Sequence, residues 1–195
     1  VQETPQELER LVEAAQGGQA EAFGVLYDQW VTRVYRYVAY RVGPGPHAED
    51  LTAETFLRAL EALHSFRWRG DGSFSAWLFR IAHNQVIDSR RRQTRRPTVP
   101  LDEEPEMPGK EGDFTDRSVG GVWVRQALAH LTHLQQAVVG LRFGSDLSIE
   151  ETARVLGKSQ GAVKALQHAA IVALRKLMDD SEKPSEAGSH GEGRV

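Results

Sequence analysis

The chain has 195 residues, 40% of them apolar, no cysteine and a formal net charge of −3. The missing sulfur excludes disulfide frameworks, thiolate nucleophiles, Cys-ligated zinc and thiol redox sensing together. No basic-then-apolar leader opens the sequence and no apolar run approaches the roughly 20 residues that cross a bilayer, so the expectation is a cytoplasmic protein without membrane insertion.

Charge is distributed in blocks. Residues 1–18 carry one basic and four acidic side chains, residues 19–96 twelve and eight, residues 97–118 two and seven, residues 119–178 seven and three, and residues 179–195 two and five. Two basic segments therefore stand among three acidic ones, the pattern of a nucleic-acid binder whose net charge hides its footprint. The length suits two small helical cores.

In chain order, Leu8, Leu11, Val12 and Ala15 recur at helical spacing in an acidic N-terminal extension, residues 1–18. A second helix carries Phe23, Leu26, Tyr27, Trp30, Val34 and Val38, and the Gly43-Pro44-Gly45-Pro46 break separates it from a third with Leu51, Thr55, Leu60 and Leu63. Arg69-Gly70-Asp71-Gly72-Ser73 reads as a loop before a fourth helix with Phe74, Leu78, Ile81 and Gln85. Four prolines between Arg96 and Gly109 preclude a packed helix, so 97–118 is a linker between domains at 19–96 and 119–178. The Ser-, Gly- and Glu-rich tail, 179–195, has a disordered composition.

The second domain has sharper punctuation. Thr132 with Gln135 and Ser148 with Glu151 fit the capping-box spacing, Gly144 and Gly157 suit left-handed C-caps, and Ser159 can cap a last helix. These signals predict helices near 120–130, 133–143, 149–156 and 160–178. The fold class expected is all-α: two small four-helix domains joined by an acidic, proline-rich linker.

A short capped helix, a Gly157-Lys158 turn and a long basic helix have the length and chemistry of a helix-turn-helix. Val163, Leu166, Ala170, Leu174 and Leu177 form one apolar stripe, and Gln160, Lys164, Gln167, His168, Ile171 and Arg175 face away from it. A solvated helix face uses the same residue types; the caps and the glycine turn favour DNA. His130 and His133 lack further ligands at metal spacing.

In the first domain, Phe66-Arg67-Trp68-Arg69 interleaves aromatics with arginines and leads to Arg80, Asn84, Asp88, Arg90, Arg91 and Arg92. Aromatic faces stack unpaired bases and a positive groove follows phosphates, so this pattern suits single-strand capture. Phe74, Trp77, Leu78 and Ile81 read as core. Asp50, Glu54, Arg58 and Glu61 share one face of the preceding helix. Such a face repels phosphate and suits a protein partner, or else only water. His47, Glu49 and Asp50 form no acid–base or metal constellation, so neither an enzyme nor a cofactor site is expected.

The run Ala48-Glu49-Asp50-Leu51-Thr52-Ala53-Glu54-Thr55-Phe56-Leu57-Arg58-Ala59, the run Phe74-Ser75-Ala76-Trp77-Leu78-Phe79-Arg80-Ile81-Ala82-His83-Asn84 and the terminal helix-turn-helix, in this order, resemble bacterial RNA polymerase sigma factors of the extracytoplasmic-function group. The resemblance covers roughly residues 20–92 and 120–178. It implies that Asp50, Leu51, Thr52, Glu54, Thr55, Phe56 and Arg58 dock on the clamp coiled coil of the largest polymerase subunit, and that the flap of the second-largest subunit is a further partner. It implies minus-ten DNA contacts through Phe66, Arg67, Trp68, Arg69, Ser73, Arg80, Asn84, Asp88, Arg91 and Arg92, with a base extruded from the duplex. It implies minus-thirty-five contacts through Ser159, Gln160, Lys164, Gln167, His168 and Arg175, and an anti-sigma factor as regulator. Ala165 and Ala169 replace polar residues common in relatives, and Trp68 lengthens the minus-ten loop. A stand-alone helix-turn-helix regulator is the alternative; it would bind duplex DNA tightly without polymerase.

Overall fold

The computed structural model describes residues 4–95, 128 and 130–181. Its described helices are α1 (Pro5–Gln16), α2 (Ala20–Val42), α3 (Pro46–Ala62), α4 (Ser73–Arg95), α5 (His133–Val139), α6 (Ile149–Leu156) and α7 (Gln160–Ser181). A 3-10 turn, Leu63–Ser65, follows α3, and a π-helical turn, Gly140–Gly144, follows α5. The linker, the tail and almost all of the helix expected near 120–130 lie outside the described residues.

Each boundary has a local cause. Thr4 closes a capping box with Glu7 at the start of α1, and Pro5 occupies the first helical position, where a missing N–H costs nothing. The Gly-Pro-Gly-Pro break ends α2 at Val42 and starts α3 at Pro46. In the second module, the Thr132–Gln135 and Ser148–Glu151 boxes both form, and Ser159 Oγ accepts from Ala162 N at 3.2 Å. Gly157 adopts the left-handed conformation (φ 61°) that ends α6. Gly144 does not take the corresponding role after α5. The chain loosens into the π turn instead, and the left-handed residue is Asp146 (φ 54°), a side-chain type that tolerates this conformation.

α2 is the central strut of the first module: α1, α3 and α4 all pack on it, around fully buried Leu26, Val34, Tyr37, Val38, Leu78, Phe79 and Val86. In the second module α5 and α6 pack on α7, with Val138, Ala153 and Val163 forming a small cluster of their own. The larger core is not confined to one module. Leu141, Leu147 and Val155 of the second module belong to the same apolar cluster as Tyr37 and Phe79, because α6 packs on α4 and the π turn packs on α2.

A buried polar chain stiffens the first core. The Tyr37 hydroxyl meets His83 Nδ1 at 2.7 Å and accepts from Arg41 Nη1 at 3.2 Å. With neutral His83 carrying its proton on Nε2, the tyrosine donates to Nδ1. Burial, reinforced by the Arg41 charge, pulls the His83 pKa down to about 4, and burial pushes that of Tyr37 up to about 12.

Candidate nucleic-acid and polymerase interfaces

The 3-10 turn after α3 brings the chain back against α1, where Gln16 Nε2 donates to the carbonyls of Leu63 (2.8 Å) and Phe66 (2.9 Å). This clamp sets the start of the loop 66–72. At its far end Gly70 (φ 89°) and Gly72 (φ 70°) take conformations that side chains resist, and Arg69 N donates to Ser73 Oγ at 3.2 Å. The loop is therefore built by backbone contacts at both ends.

Its side chains divide between two clefts. One, of 570 Å³, is lined by Phe66, Arg67, Arg69, Trp77, Arg80 and, from the second module, Arg154. The other, of 480 Å³, takes Trp68 beside Leu8, Trp30, Arg33 and Glu151. Phe66 is only 6% exposed; its ring stands 5.0 Å from Trp77 and 5.9 Å from Phe74, so it forms a wall of the arginine cleft rather than a free stacking platform. Trp68 is half-buried and packs with Leu8 against the core. Ser73 is buried and already bonded to Arg69.

From this cleft an exposed stripe runs along α4. Arg80, Asn84, Asp88 and Arg91 are all exposed and follow at spacings of four, four and three, with Arg92 beside them. Asp88 lies 4.0 Å from Arg91, both in solvent. Asp88, Arg91 and Arg92 border a shallow 320 Å³ cleft with Arg58 of α3.

Helix α3 presents fewer residues than its motif contains. Leu51, Thr52, Thr55 and Phe56 face inward, and the two threonines spend their hydroxyls on the carbonyls of Ala48 and Leu51, each at 2.7 Å. Phe56 packs edge-on against Tyr27, with ring centroids 4.8 Å apart. Solvent meets Asp50, Glu54, Arg58 and two apolar residues absent from the sequence-predicted site, Leu57 (61% exposed) and Leu60 (50%). Arg58 Nη2 bonds Glu54 at 2.6 Å and, as the main cause, holds that carboxyl below its ordinary pKa. The helical spacing could have revealed Leu57, which falls between Glu54 and Glu61 on the outward side. Beside this face, Tyr27, Val31 and Tyr35 of α2 and Thr52 of α3 line a 260 Å³ groove.

On α7, Gln160, Lys164, His168 and Arg175 are exposed on the side opposite buried Val163 and Ala170. Gln167 is half-buried and accepts from Arg142 Nε at 3.2 Å, which brings into the neighbourhood an arginine that sequence spacing could not place there. The Ser159 hydroxyl is engaged as the α7 cap.

Two helical modules on one chain, one with an arginine-lined cleft and one with a short capped helix, a glycine turn and a long helix, match two family models in the same order. Residues 26–96 match Sigma-70 region 2 and residues 127–176 match Sigma-70 region 4. The chain belongs to the sigma-70 family. Within it, the relatives are of the extracytoplasmic-function group. The chain is 44% identical over 176 residues to the ECF RNA polymerase sigma factor BldN of Streptomyces coelicolor, covering 89% of this chain and 66% of that protein. It is 34% identical over 180 residues to the ECF sigma factor ShbA of Streptomyces griseus, covering 87% and 94%. Among solved structures, CnrH in complex with the cytosolic domain of CnrY shares the fold, with a TM-score of 0.66, 24% identity and coverage of 88% of this sigma factor and 97% of that chain. A sigma factor directs RNA polymerase to promoters and performs no bond chemistry of its own. Among the described residues no group of three or more His, Cys, Asp or Glu could hold a metal, and no helix is long and apolar enough to cross a membrane.

Proposed function

We propose that this sigma factor docks on the polymerase core through the outward face of α3, takes a melted minus-ten strand along the arginine cleft and the α4 stripe, and reads the minus-thirty-five element with α7. The observation that carries this reading is the unbroken line from the Phe66–Trp77 cleft to Arg80, Asn84, Asp88 and Arg91 along one exposed helix face. A single strand following it meets guanidinium groups for its phosphates and an aromatic-walled recess for one extruded base, chemistry that offsets the few kcal/mol of unstacking. Asp88 on the same line disfavours phosphate at that point and leaves it to a base edge.

For the core, the contacting residues are Asp50, Glu54, Arg58, Leu57 and Leu60, where exposed leucines beside acids give an apolar centre with a charged rim. Leu51, Thr52, Thr55 and Phe56 act one layer below, fixing the helix that presents them. Gln160, Lys164, Gln167, His168 and Arg175 take the duplex, and Ser159 holds the N-terminus of their helix. The polymerase flap is the partner proposed for the second module, and an anti-sigma factor the partner that competes for these surfaces. The site of action is the cytoplasm.

Run-off transcription with purified polymerase core on fragments of host DNA tests the proposal. New discrete transcripts that disappear when Asp50 and Glu54 are replaced by Lys support both the promoter role and the docking face. Tight duplex binding by the isolated protein, with no transcripts, would replace it with a stand-alone regulator.

A further inference from the structure

Helix α1 lies ahead of the region 2 match at residues 26–96, yet it is tied down at both ends. The Thr4–Glu7 box closes its start, and Val12 and Ala15 bury its inner face beside Leu8 and Leu11. At its other end Gly17 and Gly18 turn the chain into α2, and Gln19 N donates back to the Ala14 carbonyl at 3.2 Å. Gln16, the last residue of the helix, therefore reaches out from a fixed base.

What it reaches is specific. A primary amide has two N–H donors, and both are spent, on the carbonyls of Leu63 (2.8 Å) and Phe66 (2.9 Å). The Leu63 carbonyl also accepts from Phe66 N at 3.0 Å, closing the 3-10 turn. The Phe66 carbonyl also accepts from Arg67 Nη1 at 3.0 Å, and the same nitrogen donates to the His64 carbonyl at 3.2 Å. A side chain of α1 thus shares an acceptor with an arginine that lines the 570 Å³ cleft.

The loop has need of such a hold. An irregular segment that recognises a base must be ordered to do so, and every residue left free adds to the entropy cost of binding. The Phe66 ring is anchored 5.0 Å from Trp77, but a ring contact leaves the following peptide plane free to swing. The bond from Gln16 to the Phe66 carbonyl fixes that plane. Leu8 of the same helix lines the 480 Å³ cleft with Trp68, so α1 also borders the loop two residues further on. Packing of α1 is served by Leu8, Leu11, Val12 and Ala15 and needs no amide at position 16.

We propose that α1 belongs to the minus-ten site, with Gln16 as a positioning residue that holds the Phe66 carbonyl, and through it Arg67, in the register from which loop 66–72 selects the extruded base. The inference rests on the promoter reading above and extends it to a helix outside the interface residues named there.

Three variants separate positioning from packing. Gln16→Met keeps the length of the side chain and removes both donors. Gln16→Glu keeps its shape and sets an acceptor against the two carbonyls. Val38→Ala hollows the buried face of α2 and touches neither bond. Holoenzyme carrying each protein is titrated with a single-stranded oligonucleotide of the minus-ten element from a promoter that the parent transcribes, and with the same strand changed at one base at a time. The ratio of the two affinities is expected to shrink about five- to tenfold in both Gln16 variants and to keep the parent value in Val38→Ala, with affinity for the core equal in all four proteins. In the free chains, amide exchange across residues 66–72 is expected to quicken in the Gln16 variants alone. An unchanged ratio in both Gln16 variants, an equal loss in Val38→Ala, or a lost ratio with unaltered exchange would overturn the role of Gln16. A parent holoenzyme that makes no transcripts would instead overturn the promoter reading, and base selection with it, while exchange still reports whether Gln16 holds the loop.

Discussion

His83 illustrates how one buried side chain couples stability to pH. Unfolded, it takes a proton near 6.5; folded, burial delays this to about 4. Between these values the unfolded chain binds more protons, so acidification through that window favours unfolding. The urea midpoint is expected to fall from pH 6.5 towards pH 4, and the fall should be smaller in His83→Gln; equal slopes would detach the effect from His83. On α7, Lys164→Ala should weaken duplex binding by about 1–3 kcal/mol if Lys164 contacts a guanine, or reduce the salt slope by about one if it contacts a phosphate. A titration at several salt concentrations separates these outcomes, and no change in either removes Lys164 from the interface. Residue identity on helices was readable from spacing: Val163 and Ala170 are buried and Lys164 and His168 exposed, as their positions on the wheel require. In the loop 66–72 no period exists, so nothing in the sequence could say that Phe66 turns inward and Trp68 lies half-buried against the core beside it.

The helix ends were the best-specified elements, because a cap is a local contract between residues three apart. The Ser148–Glu151 box shows its strength, and Ser148→Ala should cost about 1 kcal/mol by chemical denaturation. The π turn was not readable, since it arises from fitting Leu141 and Leu147 into the neighbouring module while Leu147 N bonds back to the Leu141 carbonyl at 3.0 Å. Tertiary demand there overrode the signal at Gly144. Helix α1, outside the region 2 match, acts on the loop through Gln16. Gln16→Ala removes two hydrogen bonds worth about 1 kcal/mol each, and faster amide exchange across 66–72 is expected with affinity for the core unchanged. Unaltered exchange would show that the loop holds its shape without α1.

Across the molecule, the charge blocks and the motif order were sufficient to find two helical modules, but not to show that they share a core. Periodicity identifies an apolar face and is silent about what covers it: nothing in Leu141, Leu147 and Val155 names α2 and α4 as their partners. The shared core makes unfolding cooperative. The parent protein is expected to melt in one calorimetric transition and Gly140→Ala, whose Cβ would stand 2.7 Å from the Tyr40 ring of α2, in two; two transitions in the parent would mean that the modules are thermally independent.

That continuity of packing bears on what a protease would do. A cut between residues 97 and 118 would sever the chain without exposing Leu141, Leu147 or Val155, and the halves would remain a complementary pair. What the peptide connection contributes is local concentration, for linked modules in general on the order of millimolar. Once nicked, the two pieces would drift apart only on dilution, so the linker governs how often the halves meet rather than whether they fit.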